Sequence, residues 1–202
     1  MIKKKRDFWL PESDYHFTGK EYQGRHRASS LFFCNSFVNA IDVGAHVGTW
    51  AVDLQKTFHH VYAFEPVEEH RLCLEKNVDL SKVTIYPYAL GDKEGEVTLS
   101  QAEEGNSGTV SITEGGKYSS KVMTLDSFGL EDIDYIKVDV EGYELQFLKG
   151  AVETIKANKP IINIEIKKTC ERFGYSQMDI VKYLTSLGMI NCARTIDDWV
   201  FK

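Results

Sequence analysis

Residues 41–48 read Ile41-Asp42-Val43-Gly44-Ala45-His46-Val47-Gly48, a short apolar run that breaks at Asp-x-Gly-x-x-x-Gly. An amphipathic stretch, Thr49 to Phe58, follows directly. This is the pattern of a strand passing through a glycine turn into a helix. Glycine lets the backbone approach a ligand closely, and a helix start offers N–H groups that have no partner inside the helix. Open α/β folds hold nucleotide-like ligands at such turns. Dinucleotide turns follow G-x-G-x-x-G, whose second glycine lets the chain crowd a pyrophosphate. Here Gly44 and Gly48 flank His46, which better suits a cofactor without phosphates. Asp42, Gly44, Ala45, His46 and Gly48 are therefore candidate cofactor contacts.

Downstream, His60-Val61-Tyr62-Ala63-Phe64 is a second apolar run, ending at Glu65-Pro66 and placing Glu65 21 residues after Gly44. A carboxylate at a strand tip about 20 residues past the glycine turn is placed to accept both hydroxyls of a ribose. Two glycines alone also serve turns that bind nothing, so the spaced acid carries the inference. An adenosine without phosphate points to S-adenosylmethionine, with Glu65 and Pro66 among its contacts.

From here the chain resembles the FkbM-type methyltransferases, a family of class I S-adenosylmethionine-dependent enzymes. The resemblance runs through IDVGAHVGTW (41–50), YAFEP (62–66), YALGDKEGEVTL (88–99), MTLDSF (123–128), IKVDVEGYELQFLKGA (136–151) and KPIINIEI (159–166), in the family's order. The IKVDVEG…LKGA block is its most diagnostic part, and residues 1–39 lie outside it. The family often carries Asn at the third position of the glycine turn, where this chain has His46. The resemblance implies a methyltransferase acting on a hydroxyl of a sugar or other small molecule.

Composition narrows the alternatives. With 202 residues, 43% of them apolar, the chain suits a single compact domain with a sizeable core. No run approaches the roughly 18 apolar residues of a membrane span, and the start, Met1 to Asp14, lacks a signal peptide's apolar stretch. A soluble cytoplasmic protein is expected. Cys34, Cys73, Cys170 and Cys192 are widely spaced, which indicates neither a zinc site nor a disulfide framework. The net charge is −6 and the basic cluster is terminal, Lys3-Lys4-Lys5-Arg6, so duplex nucleic acid is not an expected partner.

Periodicity predicts strands near 40–44, 60–65, 82–88, 133–139, 160–166, 189–193 and 198–201, with helices near 48–58, 68–78, 143–157 and 176–187. Alternation of this kind implies a doubly wound α/β fold, a mostly parallel seven-stranded Rossmann-like sheet covered on both faces. Between the third and fourth strands, residues 91–125 carry glycines and alternating stretches, Glu96–Leu99 and Thr109–Ile112, that predict a small antiparallel insertion. Residues 1–39 are read as an arm or lid before a methyltransferase domain at 40–202. Aromatic and titratable residues crowd 7–39, among them Phe8, Trp9, Tyr15, His16, Phe17, Tyr22, His26, Phe32 and Phe33. They either cover a sheet edge or help to form the substrate pocket, with His16 and Tyr15 the pocket candidates.

In open α/β sheets ligands sit outside the carboxyl ends of the strands, which directs attention to Lys137-Val138-Asp139-Val140-Glu141-Gly142. Alternation puts Lys137, Asp139 and Glu141 on one side until Gly142 ends the strand. Methylating an alcohol releases a proton, and a carboxylate within reach can orient the hydroxyl and take it. Asp139 and Glu141 are the candidate catalysts, with Asp139 also beside the cofactor; Glu141 has the competing role of capping the next helix. Glu165 is either a pocket acid or a solvent-facing edge residue. No metal is expected at these three acids, which bring no His and no loop-like ligand spacing. Fold analogy puts the adenine near Ala89, Leu90 and Asp92, while Asn106 and Ser107 are substrate candidates that serve equally well as turn residues. Two rival readings remain, a non-catalytic S-adenosylmethionine sensor or partner subunit and a nucleotide-linked dehydrogenase, the second disfavoured by the missing glycine.

Overall fold

The computed structural model describes residues 1–5, 7–17 and 24–202, with the side chains of 24–26 outside that description. Arg6, Tyr22 and the His26 side chain thus lie outside the described residues. In chain order the elements are β1 (Ile2–Lys5), β2 (Phe8–Pro11), α1 (Gly24–Leu31), β3 (Asn39–Val43), α2 (Ala51–Thr57), β4 (His60–Phe64), α3 (Glu68–Asn77) and β5 (Val83–Tyr86). The insertion follows with β6 (Ala89–Leu90), β7 (Gly95–Gln101), β8 (Val110–Ile112) and β9 (Tyr118–Met123). Then come β10 (Ile133–Val138), α4 (Glu144–Lys149), α5 (Val152–Asn158), β11 (Ile161–Glu165), α6 (Gln177–Ser186), β12 (Asn191–Arg194) and β13 (Asp198–Phe201).

Seven strands form one mixed sheet in the order β12-β13-β11-β10-β3-β4-β5. The run from β11 to β5 is parallel, while β13 pairs antiparallel with β11 and β12 antiparallel with β13. Side-chain alternation along the central strands divides the core in two. Ile41, Val43, Ile136, Val138, Ile162 and Ile164 face Leu148, Ile155 and Leu184 of the later helices. Ala40, Val61 and Tyr135 face Trp50, Leu54 and Leu74 on the other side. The buried Tyr135 hydroxyl meets Ser30 Oγ at 2.7 Å, tying α1 to this second face. The cysteines are free thiols, and no helix among the described residues is long and apolar enough to cross a membrane.

The insertion is a four-stranded sheet in the order β6-β9-β7-β8. Leu99 pairs with Ile112 across the antiparallel β7–β8 ladder, the two stretches that alternation marks, while β6 and β9 are additional. The helix expected over 143–157 is broken into α4 and α5. Gly150 packs against the Gly91 carbonyl, where a Cβ would overlap the oxygen. Asp126 then caps a fresh helix start, accepting from Thr154 N at 2.8 Å and Glu153 N at 3.1 Å.

Candidate functional site

A cavity of about 340 Å³ opens where β3, β4, β10 and β11 end. The glycine turn forms one wall, with φ values of +74° at Gly44, +52° at His46 and +92° at Gly48. Gly44 is required on two counts, because its φ is left-handed and a Cβ would overlap the Asp139 carbonyl oxygen. Gly44 N and Ala45 N both donate to Phe64 O at 3.0 Å, which fastens the turn to the end of β4.

Glu65 leaves β4 at that point and is buried. Its Oε2 accepts from His46 N at 2.8 Å, and its Oε1 accepts from Val67 N at 2.8 Å and His70 Nδ1 at 3.2 Å. A carboxylate has about four lone-pair sites, so one remains for a ligand.

On the opposite wall, Lys137 Nζ sits 3.6 Å from Asp42 Oδ1 and 3.4 Å from Asp139 Oδ2, and donates to Gly44 O at 3.3 Å. Carboxylate oxygens of Asp139, Glu141 and Glu165 lie within 4.8 Å of one another. Lys167 Nζ stands among them, 2.6 Å from Glu165 and 3.4 Å from Glu141, as their counter-ion. Glu141 takes a left-handed φ of +51° and faces this cluster rather than capping α4, and Glu144 Oε1 accepts from Gly142 N at 2.9 Å in the turn before that helix.

The insertion reaches over the cavity with Asn106 and Ser107. Gly44, His46, Glu65, Pro66, Ala89, Leu90, Asp139, Glu141 and Glu165 also line it. Asp42, Ala45 and Gly48 sit behind the wall as its support. His16 does not reach the cavity: its N–H and that of Tyr15 both donate to Gly105 O, and its ring is exposed against Tyr15. Asp92 is an exposed turn residue away from the cavity, whereas Tyr143, which reads as packing, lines it.

Residues 42–190 match the model of the methyltransferase FkbM domain. The chain belongs to the FkbM methyltransferase family. Over 150 residues this FkbM-family chain is 29% identical to the hexuronic acid methyltransferase AglP of Haloferax volcanii, a match covering 71% of this chain and 60% of that relative. It therefore spans less than two thirds of the relative's length. A methyltransferase FkbM from Methylobacillus flagellatus KT superposes with a TM-score of 0.55 at 20% identity, covering 82% of this chain and 43% of that one. Precorrin-6y C5,15-methyltransferase from Geobacter metallireducens GS-15 gives 0.54 at 14% identity over 96% and 91%. The magnesium protoporphyrin IX methyltransferase ChlM of Synechocystis PCC 6803, solved with bound SAM, gives 0.50 at 13% identity over 90% and 77%.

The FkbM-family cavity separates its titratable groups by environment. Burial raises Asp139, but the Lys137 and Lys167 ammoniums outweigh it and hold the carboxyl below its ordinary range. Burial and the Asp139 charge push Glu165 up to about 9, so at neutral pH Glu165 keeps its proton beside an ionised Asp139. Glu141 is raised by burial and then by Asp139. Burial, with His70 next to it, lowers His46 to about 3 and keeps the imidazole neutral. Two neighbouring carboxyls driven apart in this way supply an acceptor and a donor of protons at one pH.

Three residues that line or support the cavity escape a reading of the sequence. Lys167 follows Glu165 at the strand-like spacing of two, a signal that was present. His70 sits in the first turn after Glu65, where an acid followed five residues later by His is visible but unspecific. Asp14, which accepts from Ser107 N at 3.1 Å, is 93 residues away in the chain and leaves no signal.

Proposed function

We propose that this chain is an S-adenosylmethionine-dependent O-methyltransferase acting on a hydroxyl of a sugar or another small molecule. The observation that carries it is a single cavity walled by a phosphate-free glycine turn with Glu65 on one side and by Asp139, Glu141 and Glu165 on the other. Five acidic residues line the cavity, Glu65, Asp139, Glu141, Glu165 and Asp197, against two ammoniums, Lys137 and Lys167, and this excess of acids, with Glu165 protonated, suits a ligand bearing a sulfonium and an ammonium. Glu65 would receive a ribose hydroxyl, Pro66, Ala89 and Leu90 the base, and Gly44, His46 and Asp139 the amino-acid end. The bound SAM of ChlM and the activity in AglP's name support cofactor and acceptor class respectively.

When bound, S-adenosylmethionine would supply a methyl carbon activated by its sulfonium, with a neutral thioether as the leaving group. The protein aligns the acceptor hydroxyl in line with that carbon and excludes water. Asp139, ionised, accepts the hydroxyl proton. Glu165 donates a hydrogen bond to Asp139, and Lys137 keeps the Asp139 carboxylate oriented. The described part of the 1–39 arm docks through Tyr15 and His16 on Gly105 of the insertion, beside the cavity of a 40–202 catalytic domain.

Calorimetric titration with S-adenosylmethionine, S-adenosylhomocysteine and NAD tests the cofactor. Micromolar binding of the first two, weakened about 100-fold in Glu65→Ala, is the expected result. Binding of NAD, or of none of the three by folded protein, overturns it. Methyl transfer to hydroxylated acceptors, hexuronic acids included, then separates an enzyme from a sensor that only binds.

A further inference from the structure

A chain of buried polar groups connects the amino-terminal segment to the cofactor wall, and it rests on residues outside the catalytic assignment. Asp14 is 2% exposed. Its Oδ1 accepts from Phe17 N at 3.0 Å, and its Oδ2 accepts from both Ser107 N and Ser107 Oγ. Ser107 Oγ in turn lies 2.7 Å from His46 Nε2, and His46 N donates to Glu65 Oε2.

The proton inventory along this chain has one solution. An ionised carboxylate accepts only, and a serine hydroxyl has a single proton to give. The Ser107 proton goes to Asp14, whose carboxyl is held low because hydrogen bonds from Ser107 and Phe17 outweigh its burial. Ser107 Oγ must then accept from His46, so the imidazole carries its proton on Nε2 and leaves Nδ1 as the acceptor. His46 also needs an anchor for its backbone, since a left-handed φ disfavours a residue with a Cβ. The segment that brings Asp14 is itself docked: Tyr15 N and His16 N donate to Gly105 O, and the Tyr15 hydroxyl donates to Glu104 O at 3.2 Å.

We propose that Asp14 is a positioning residue for the cofactor cavity: through Ser107 it fixes the tautomer and place of the His46 ring, and with them the main-chain N–H that holds Glu65. The role in cofactor binding rests on the function proposed above, whereas the relay itself does not. The insertion and the amino-terminal segment are thus parts of the glycine wall, although neither touches Glu65 in sequence.

The test reads the ring nitrogens of His46 by long-range proton–nitrogen NMR of ligand-free protein, in the unaltered chain, Asp14→Ala and Ser107→Ala. The unaltered chain is expected to show the Nε2–H tautomer alone. Both variants are expected to show mixed tautomers, faster hydrogen exchange at the His46 amide, and S-adenosylhomocysteine affinity lowered about tenfold. An Nδ1–H tautomer in the unaltered chain overturns the proposal whether or not the variants fold. So do folded variants whose tautomer and amide exchange are unchanged. Failure of the unaltered chain to bind S-adenosylhomocysteine would instead count against the proposed function, leaving the relay to be judged on the NMR measurements.

Discussion

Gly44 lies so close to the Asp139 carbonyl oxygen that a Cβ at position 44 would overlap it. The turn after β3 and the end of β10 are thereby held in direct main-chain contact. Gly115 provides the comparison, with a φ of +67° but nothing within 4 Å of the Cβ position. Gly115→Ala should lose only the left-handed penalty, about 1–2 kcal/mol. Gly44→Ala adds a backbone collision and should lose about 4 kcal/mol in urea unfolding. Equal losses would show that the walls part freely.

Lys137 holds two acids, of which Asp42 is fully buried. Lys137→Met keeps the length of the side chain but removes the counter-charge of the buried Asp42 and one of the two ammoniums that face Asp139. The expected loss at neutral pH is about 3–5 kcal/mol. Burial already raises Asp42 above its unfolded 3.8 and loss of Lys137 raises it further, so the stability it contributes is present below that value and falls as pH rises. The deficit should therefore shrink in mild acid, and a deficit independent of pH would refute this account.

Glu165 makes the corresponding prediction for the unaltered chain. Its folded pKa of about 9 stands above its unfolded 4.5, so its contribution is complete below 4.5 and is lost as pH rises toward 9. Glu165→Gln keeps a donor for Asp139 and cannot ionise. Melting temperatures across that range should slope downward less in the variant, and identical slopes would place the shared proton elsewhere.

Asp139 and Glu141 should differ kinetically. Only Asp139 is held ionised by two ammoniums, so Asp139→Asn should lower kcat by at least about 100-fold, the range of general-base catalysis. Glu141→Gln should cost about tenfold or less, the worth of one hydrogen bond to an oriented substrate. A reversed order would transfer the base to Glu141.

How much of this is legible in the sequence depends on the distance over which each feature is encoded. The turn at Gly44, the acid at Glu65 and the row Lys137, Asp139, Glu141 are local patterns of spacing and alternation, and the structure puts all of them on the cavity. The break at Gly150 is not local, because it arises from contact with Gly91 across the insertion. Glu65 shows a third case: its position follows from spacing, but its hydrogen-bond capacity depends on His70 and the His46 amide, whose geometry no periodicity describes. His16, a pocket candidate by sequence, is left in solvent while its backbone docks on Gly105, and Asp14, which no local pattern marks, is buried against Ser107.

The pairing of β3 with both β4 and β10 also bears on how the polypeptide is made. When the glycine turn and Glu65 have left the ribosome, the strand that must lie beside them has not yet been translated, and the whole inserted sheet has to emerge first. The nascent chain passes through a stage in which β3 has an open edge where β10 belongs, an interval in which unpaired strands are prone to wrong partners. The cavity is not complete until Asp197, the last residue that lines it, is synthesised. A tightly bound ligand would thus act as a late quality signal, marking molecules whose translation has run past the cavity's last charged residue.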